Sequence, residues 1–581
     1  VRNEEVIRVL NAIGDLLEIK GETRFRVNAY RDAARQIEGL AEDLNSVAAE
    51  GRLRTIPGVG EAIAAKLQEL LETGKLAYFE RLKTEVPETL LVLLQVPGLG
   101  PRKIKLLYET LGVKGIDDLR AALVDGRVAT LPGMGAKSIE NLKREVERYE
   151  QRGSRSPLGS ALPIVQEMMA LLRERAGPAI LQMEEAGSVR RRRDTIGDLD
   201  ILVASDDAAR VLDAFVGLPM VQEVIGHGDT KASVLGPRGQ QIDLRVVPPD
   251  SWGAALQYFT GSKAHNVRLR EMAVRKGWRL NEYGLYESAS DRKLAGSDEA
   301  GIYAAFGLPW IPPTLREDNG EIEAGLAGRL PRLVQATDMR GDLHSHSTWS
   351  DGQASIEEMW AAARAKGYEY LALTDHSQSL GVANGLSLDR LREQREIVAA
   401  MNQRGEGPRL LLGVELEIRA DGSLDFPDEV LAELDIVVAS VHSGFSQPRD
   451  KMTARLVAAA LNPHVDIIGH PTGRLIGRRD SYDVDVDALI DVCSRTGTAL
   501  EINSHPARLD LDDVHARRAM ELGCWLAIDT DAHAPDHFDL LPYGIATAQR
   551  AWVTPERVLN SLSLPDLRAH LDARCQTGGR G

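Results

Sequence analysis

Cysteine is scarce in this chain: three residues, Cys493, Cys524 and Cys575, among 581. So sparse and odd-numbered a set supplies neither a disulfide framework nor a cysteine-based zinc cluster, and it predicts a reducing compartment. Long apolar runs are missing as well. No stretch reaches the roughly 18 apolar residues that a membrane span needs. The opening VRNEEVIRVLNAIGDLLEIKGET is broken by charges before a signal-like apolar core forms. Secretion, membrane spanning and membrane partners are therefore not expected, and a cytoplasmic location is. The composition, 43% hydrophobic and 27% charged, suits a globular chain. At roughly 100–200 residues per domain it divides into three or four domains. Charge is unevenly spread: residues 1–150 and 151–320 each stand at −1, whereas residues 321–581 carry 26 Lys+Arg against 40 Asp+Glu and hold −14 of the net −16. Such an acidic part either holds cations or is kept away from phosphate backbones.

A repeat comes next. IPGVGEAIAAKLQEL (56–70), VPGLGPRKIKLLYETL (96–111) and LPGMGAKSIENLKREV (131–146) each read apolar, Pro, Gly, apolar, Gly, then an amphipathic helix. The glycine pairs Gly58/Gly60, Gly98/Gly100 and Gly133/Gly135 allow a tight turn, so that backbone N–H groups at a helix start can approach a phosphate. A single copy is usually just a turn between helices. Three copies, each followed by basic residues such as Arg102, Lys103 and Lys105 or Lys137 and Lys143, resemble the helix-hairpin-helix, which binds DNA backbones without regard to sequence.

Helical periodicity dominates residues 1–150. QRGSRSPLGS (151–160) reads as a linker. Short strands mixed with helices follow, notably DLDILVAS (198–205) and QIDLRVVP (241–248), an α+β pattern. A Gly/Pro-rich connection near 307–337 precedes the apolar runs YLALTDH, LLLGVELEI, DIVVASVHS, VDIIGHP, TALEINS and WLAIDTDAH. Each ends in a polar or ionisable residue, the pattern of a parallel β/α barrel with chemistry at the carboxyl ends of its strands.

In GSVRRRRDTIGDLDILV, Asp198 and Asp200 share one strand face. Like charges this close are tolerated mainly where divalent cations neutralise them. Asp243 on the second apolar run completes a set suited to two-metal phosphoryl transfer. With YFTGSKAHNVRLR (258–270) and GWRLNEYGLY (277–286), the region resembles the family X DNA polymerases of the nucleotidyltransferase superfamily, over about residues 1–310. The resemblance implies that Asp198, Asp200 and Asp243 bind two Mg²⁺ or Mn²⁺ ions. Gly187, Ser188 and Arg191 would meet the incoming triphosphate, Gly261 the nucleotide sugar, with Tyr258 and Phe259 excluding a 2′-hydroxyl, and Asn266 and Arg270 the base and template side. Two positions depart from the family. Leu162-Pro163-Ile164 lacks an arginine that helps to hold triphosphate, leaving Arg190–Arg193 and Lys263 to compensate. Lys66 falls where the family's lyase nucleophile would be, but the supporting lysine position is Ala62. This disfavours a Schiff-base lyase and leaves a phosphate contact or a solvated helix residue as alternatives.

Most of the 13 histidines lie beyond residue 340. His344-x-His346, Asp351, His376, Glu415, His442, His470 and Asp531-x-His533 interleave imidazoles with carboxylates at strand ends, which buried core histidines do not explain. DLHSHSTWSDG, LTDHS, GVELEI, SVHSG, IIGHPTGR and DTDAH are similar to the PHP (polymerase and histidinol phosphatase) family over about residues 338–575. The resemblance implies a distorted (β/α)7 barrel whose nine ligands hold up to three ions, for which the mixed donor set suits Mn²⁺, Zn²⁺ or Fe²⁺. His505 and Arg508, or Arg474, Arg478 and Arg479, would guide a DNA 3′ end or else be solvated loop charges.

The expectation is a multidomain chain. An all-α helix-hairpin-helix region (1–90 with the first hairpin, 91–155 with two more) leads into an α+β nucleotidyltransferase palm (156–250) and a nucleotide-selection subdomain (251–315). A linker (316–337) and the PHP barrel (338–575) complete it. Its expected activities are gap-filling DNA synthesis in repair and metal-dependent 3′-5′ exonuclease or related phosphoesterase chemistry. The expected partners are gapped or nicked DNA and deoxynucleoside triphosphates, met by a monomer associated with the nucleoid. The rival readings are a PHP nuclease with a weak polymerase and a non-enzymatic scaffold that binds DNA ends.

Overall fold

A computed structural model describes the chain except for Arg2, Ala41, Pro97, Glu150–Ser154 and Gly578–Gly581. The chain divides into two units, Val1–Ser154 and Arg155–Gly581.

The first unit is helical throughout its described residues. Helix Asn3–Lys20 presents Val6, Leu10, Ile13 and Leu17, spaced three and four apart, to Val27, Tyr30, Ala34 and Ile37 of helix Arg24–Glu38. Each leucine buried in this way contributes about 1.5–3 kcal/mol. The three glycine repeats close the same turn, with Val59 N donating to Ile56 O at 3.1 Å, Leu99 N to Val96 O at 3.0 Å and Met134 N to Leu131 O at 3.2 Å. Gly58, Gly98 and Gly133 take φ of 76°, 84° and 77°, which a side chain would resist. Gly60 and Gly100 then cap helices Glu61–Thr73 and Pro101–Leu111, and Gly135 precedes Ala136–Tyr149.

The second unit contains four sheets, of which the five-stranded palm sheet and the seven-stranded barrel sheet are the largest. The palm sheet is formed by β1 (Gln182–Glu185), β2 (Leu199–Ala204), β3 (Glu223–His227), β4 (Lys231–Leu235) and β5 (Gln241–Val247), ordered β1-β2-β5-β4-β3. β2 and β5 are parallel, while the other neighbours are antiparallel. Helices Leu158–Ala176 and Ala208–Val216 cover one face through Val165, Met168, Leu172, Val211 and Phe215. Of the linker expected at 151–160, residues 151–154 lie outside the described residues; Ser156–Pro157 pairs with Thr195–Ile196 and the helix begins at Leu158. Beyond the palm, helices Trp252–Thr260 and Lys263–Arg275 pack near the small antiparallel sheet Trp278–Asn281, Gly284–Glu287, Lys293–Ala295.

The span 316–337, expected as a linker, is a packed strap. Arg316 is fully buried and bonds Ile311 O and Glu299, and the buried Glu321 carboxylate lies 2.6 Å from His265 Nδ1. Val334 N bonds Val553 O at 2.9 Å. Its Gly/Pro content misleads because Arg316 and Glu321 are buried inside the fold together with Ile322, Leu333 and Val334.

The barrel strands are β6 (Gly341–Asp342), β7 (Tyr370–Leu373), β8 (Arg409–Glu417), β9 (Ile436–Ser440), β10 (Ile467–Ile468), β11 (Ala499–Asn503) and β12 (Leu526–Asp529), paired in sequence order and all parallel. They are apolar on both faces, as strands enclosed by crossover helices must be. A bridge between Ser345 and Ala532 brings the ends of the first and last strands together, so the barrel is nearly closed.

Candidate active sites

Parallel pairing sets Asp200 of β2 opposite Asp243 of β5, so the two carboxylates stand on the same face of neighbouring strands. Asp198 lies two residues before Asp200, at the exposed entry to β2. Burial, then the charges of Asp243 and Asp198, push the Asp200 carboxyl up to about 7. Asp243 goes the other way. Burial opposes its ionisation, but hydrogen bonds from Lys231, Ser233 and Gln241 outweigh it and hold the group below its usual range. Lys231 Nζ lies 2.6 Å from Asp243 Oδ2.

The short helix Gly187–Arg190 runs against this pair. A Cβ on Gly187, whose φ is +60°, would lie 2.2 Å from Asp200 Oδ2, so a glycine is required for the backbone to pass. Ser188 is half-buried beside it. The arginines that follow are largely engaged within the protein. Arg190 grips Glu299 at 2.7 and 3.0 Å and also bonds Thr260 Oγ1, while Arg192 bonds Glu185. Arg191 donates through Nε to Glu317 at 2.9 Å and through Nη1 to Thr260 O at 2.5 Å. The run Arg190–Arg193 therefore does not offer four cations to a phosphate, because carboxylates distant in sequence take up several of them.

Gly261 ends helix Trp252–Thr260, and a Cβ there would meet Arg191 Nη1 at 3.1 Å. Tyr258 and Phe259 are half-buried, edge to face at 5.1 Å, with Arg245 over the Phe259 ring. Asn266 is placed differently from the expectation of a base contact: it is buried, accepts from Gln257 Nε2 at 2.6 Å and donates to Tyr258 O at 2.7 Å, holding the helix end. Arg270 and Lys263 are exposed, and Leu162 and Ile164 pack on the palm core.

At the barrel's carboxyl end all nine expected ligands converge. Three groups have donor atoms mutually within 4.8 Å: His346, Asp351, His376 and His533; His344, His346, Glu415 and Asp531; and His376, Glu415 and His442. His470 Nε2 joins at 3.0 Å from Glu415 Oε1. Glu415 is the hub, 2.9 Å from His376 Nδ1 and 3.1 Å from His442 Nε2. Burial would lower the His376 imidazole, yet Glu415 and Asp351 lift it to about 10. His344 is raised likewise by Asp531, Glu501 and Glu415 against its burial. His470, beside Arg508, falls to about 3, chiefly through burial. His344 Nε2 and His346 Nδ1 are buried without a hydrogen-bond partner. Orphaned imidazole nitrogens facing carboxylates fit bound divalent cations, which would satisfy both.

The Asp351, His376, Glu415, His442, His470, Asp531 and His533 side chains line a cavity of about 250 Å³, together with Arg508. Arg508 Nε is 3.8 Å from Asp531 Oδ2. Arg474 and Arg479 serve the fold: Arg474 bonds Arg508 O, Leu509 O and Asp194, and Arg479 bonds Gly473 O and covers Phe445. Arg478 is exposed, and His505 is half-buried.

In the helical unit, Lys66 Nζ bonds Ala62 O at 3.0 Å and lies over the Tyr78 ring. Its amine is lowered from the ordinary lysine value, first by burial and then by Arg26 and Arg81. The missing lysine at Ala62 is thus offset by two guanidinium groups that arrive from other helices.

Over 573 residues, 98% of this chain and 99% of the relative, the sequence is 41% identical to the DNA polymerase/3′-5′ exonuclease PolX of Bacillus subtilis. The chain belongs to the PolX family. Its parts match separately as well. A helix-hairpin-helix domain family matches residues 1–76, a SAM-like helix-hairpin-helix tandem 90–148, the DNA polymerase beta thumb 255–317 and the PHP domain 342–505. DNA polymerase lambda of Arabidopsis thaliana is 28% identical over 347 residues, 54% of this chain and 61% of that protein. A probable phosphatase of Thermoanaerobacter is 30% identical over 233 residues, 38% of this chain and 89% of that protein.

This PolX-family barrel also has supports that the residue pattern did not reveal. Glu501 Oε1 lies 2.6 Å from His344 Nδ1 and Glu417 Oε2 lies 2.8 Å from His442 Nδ1, fixing each ring so that Nε2 faces Glu415. Asn503 bridges Glu501 and Asp531. The available signal was the period of two: Glu417 follows Glu415, and Glu501 precedes Asn503, on the same strand faces.

Proposed function

We propose that this PolX-family chain is a DNA-directed DNA polymerase that fills short gaps during repair and carries a 3′-5′ exonuclease in its barrel. The observation that carries the reading is the register pairing Asp200 with Asp243, beside Asp198 and the close-running Gly187 backbone. Asp243 would orient the primer 3′-hydroxyl toward the α-phosphate. Ser188, Arg191 and the backbone at Gly187 would hold the triphosphate, and pyrophosphate would leave along that grip. Tyr258, Phe259 and Gly261 would screen the sugar, and Arg270 would face the template side. In the barrel, His344, His346, Asp351, His376, Glu415, His442, His470, Asp531 and His533 would hold divalent cations beside a 3′-terminal phosphodiester. Bound divalent cations, two Mg²⁺ or Mn²⁺ in the palm and up to three Mn²⁺, Zn²⁺ or Fe²⁺ in the barrel, supply Lewis acidity and charge neutralisation. The glycine turns at Gly58/Gly60, Gly98/Gly100 and Gly133/Gly135 would hold the DNA backbone. The working form is a monomer in the cytoplasm, on gapped or nicked DNA of the nucleoid. Lys66, with its lowered basicity, would act as a lyase nucleophile on a 5′ sugar phosphate.

The test is a time course of a 5′-labelled primer on one-nucleotide-gapped DNA, with and without deoxynucleotides, in Mg²⁺ and in Mn²⁺. The expected result is extension by one nucleotide, and shortening when nucleotides are withheld. Shortening under every condition would make the chain a nuclease with a weak polymerase. Neither product would leave a scaffold that binds DNA ends.

A further inference from the structure

The palm and the barrel are joined by a buried charge chain that ends on the nucleotide grip. Arg550, at the end of barrel helix Leu541–Arg550, is itself buried. It donates to Asp513 of the barrel, to Glu317 Oε1 at 3.1 Å and to the main-chain O of Arg191 at 3.3 Å. The same Glu317 oxygen accepts from Arg191 Nε at 2.9 Å. One carboxylate therefore serves two guanidinium groups, one belonging to the barrel and the other lying between Gly187 and the Gly261 turn.

We propose that Arg550 is a positioning residue for nucleotide binding in the palm, setting how tightly Glu317 holds Arg191 and so how readily Arg191 can turn to a triphosphate. The proposal rests on the polymerase reading above. An incoming triphosphate must compete with Glu317 for the Arg191 guanidinium. While Arg550 shares Glu317, that competition is with a largely neutralised carboxylate. Without Arg550, Glu317 keeps only Arg191 and the nearby Arg193, so it holds Arg191 harder and its charge is less compensated where phosphates must approach. The Arg191 carbonyl also loses a donor that fixes the loop after the helix Gly187–Arg190.

The experiment measures single-nucleotide gap filling by the full chain, with KM for the deoxynucleoside triphosphate and kcat read separately. Arg550→Ala is expected to raise KM about five- to tenfold with kcat within about twofold, and Arg550→Lys to recover part of the loss. Adding Glu317→Gln to Arg550→Ala should return KM to within about twofold of the parent, since glutamine still accepts from Arg191 but carries no charge. A purely structural role would make the double variant worse. Should Arg550→Ala fail to fold, as judged by circular dichroism and loss of barrel trimming, Glu317→Gln alone is read, with a lowered KM expected. An unchanged KM in Arg550→Ala, no rescue by Glu317→Gln, or an unchanged or raised KM in Glu317→Gln alone would overturn the proposal. The polymerase reading is judged separately on Asp198→Asn. Extension that survives this change sinks the reading, whereas extension lost there, with KM indifferent to Arg550, sinks only the positioning role.

Discussion

In the palm, Asp200 and Asp243 face each other with Lys231 on one of them and solvent near Asp198. In the barrel, Glu415 and eight other candidate ligands converge, and the His344 and His442 rings are fixed from behind by Glu501 and Glu417. In the palm, burial and then the charges of Asp243 and Asp198 raise Asp200, while in the barrel Asp351, Glu415 and Asp531 are held low by the imidazoles beside them. A site built from carboxylates on two strands depends on cations and substrate to complete it, whereas one built from histidines at five strand ends, with Glu415 from a sixth strand, is largely assembled by the fold.

The largest effect that separates the two sites comes from removing their ligands. Asp198→Ala with Asp200→Ala should cut extension by roughly 10³-fold or more and leave trimming intact. His344→Ala with His346→Ala should do the reverse, with both activities followed on the same labelled primer. If both double variants kept both activities, the assignment of either site would be wrong.

A smaller effect should follow from loosening the barrel ligands from behind. Glu501→Ala is expected to weaken Mn²⁺ binding by roughly 10- to 100-fold, since it removes the partner that orients His344. Calorimetric titration would show the shift, and gap filling should not change.

Acidity distinguishes the sites again. His376 has a folded value of about 10, above its ordinary 6.5. In the metal-free protein its protonation therefore stabilises the fold fully below about pH 6.5, and this contribution is lost as pH rises through 10. Cation binding must displace that proton, so Mn²⁺ titrations near pH 7.5 in buffers of different ionisation enthalpy should reveal proton release, and affinity should rise with pH. Asp200 has the opposite consequence. Its folded value of about 7 exceeds the ordinary 3.8, so ionisation costs stability as pH rises between those values, and fully above them. Asp200→Asn should raise the metal-free stability at pH 8 by roughly 1–2 kcal/mol, read from denaturant midpoints in the presence of chelator, while abolishing extension. No stabilisation would mean that the palm repulsion is already relieved.

The smallest expected signal is at Lys66. Borohydride should trap a faint covalent adduct with a 5′-deoxyribose phosphate end, lost in Lys66→Ala, and wild-type protein that gives no adduct would return Lys66 to a backbone contact.

The amino-acid sequence alone determined which strands bear clustered carboxylates and histidines. Strand periodicity and apolar runs are local properties, so Asp198-x-Asp200, Asp243 and the histidines and carboxylates from His344 to His533 could be placed on or just after strands without coordinates, as could the three glycine turns. The tertiary structure decided which charges remain available. Arg190 and Arg192 looked like phosphate contacts until Glu299 and Glu185 met them, Asn266 looked like a base contact until Gln257 and Tyr258 occupied it, and residues 316–337 looked like a loose linker until Arg316 and Glu321 were buried. The reason is physical: a buried ion must find its partner somewhere in the fold, and that partner can be more than 100 residues away. Glu317 shows this most clearly, joined to Arg191 on one side and Arg550 on the other.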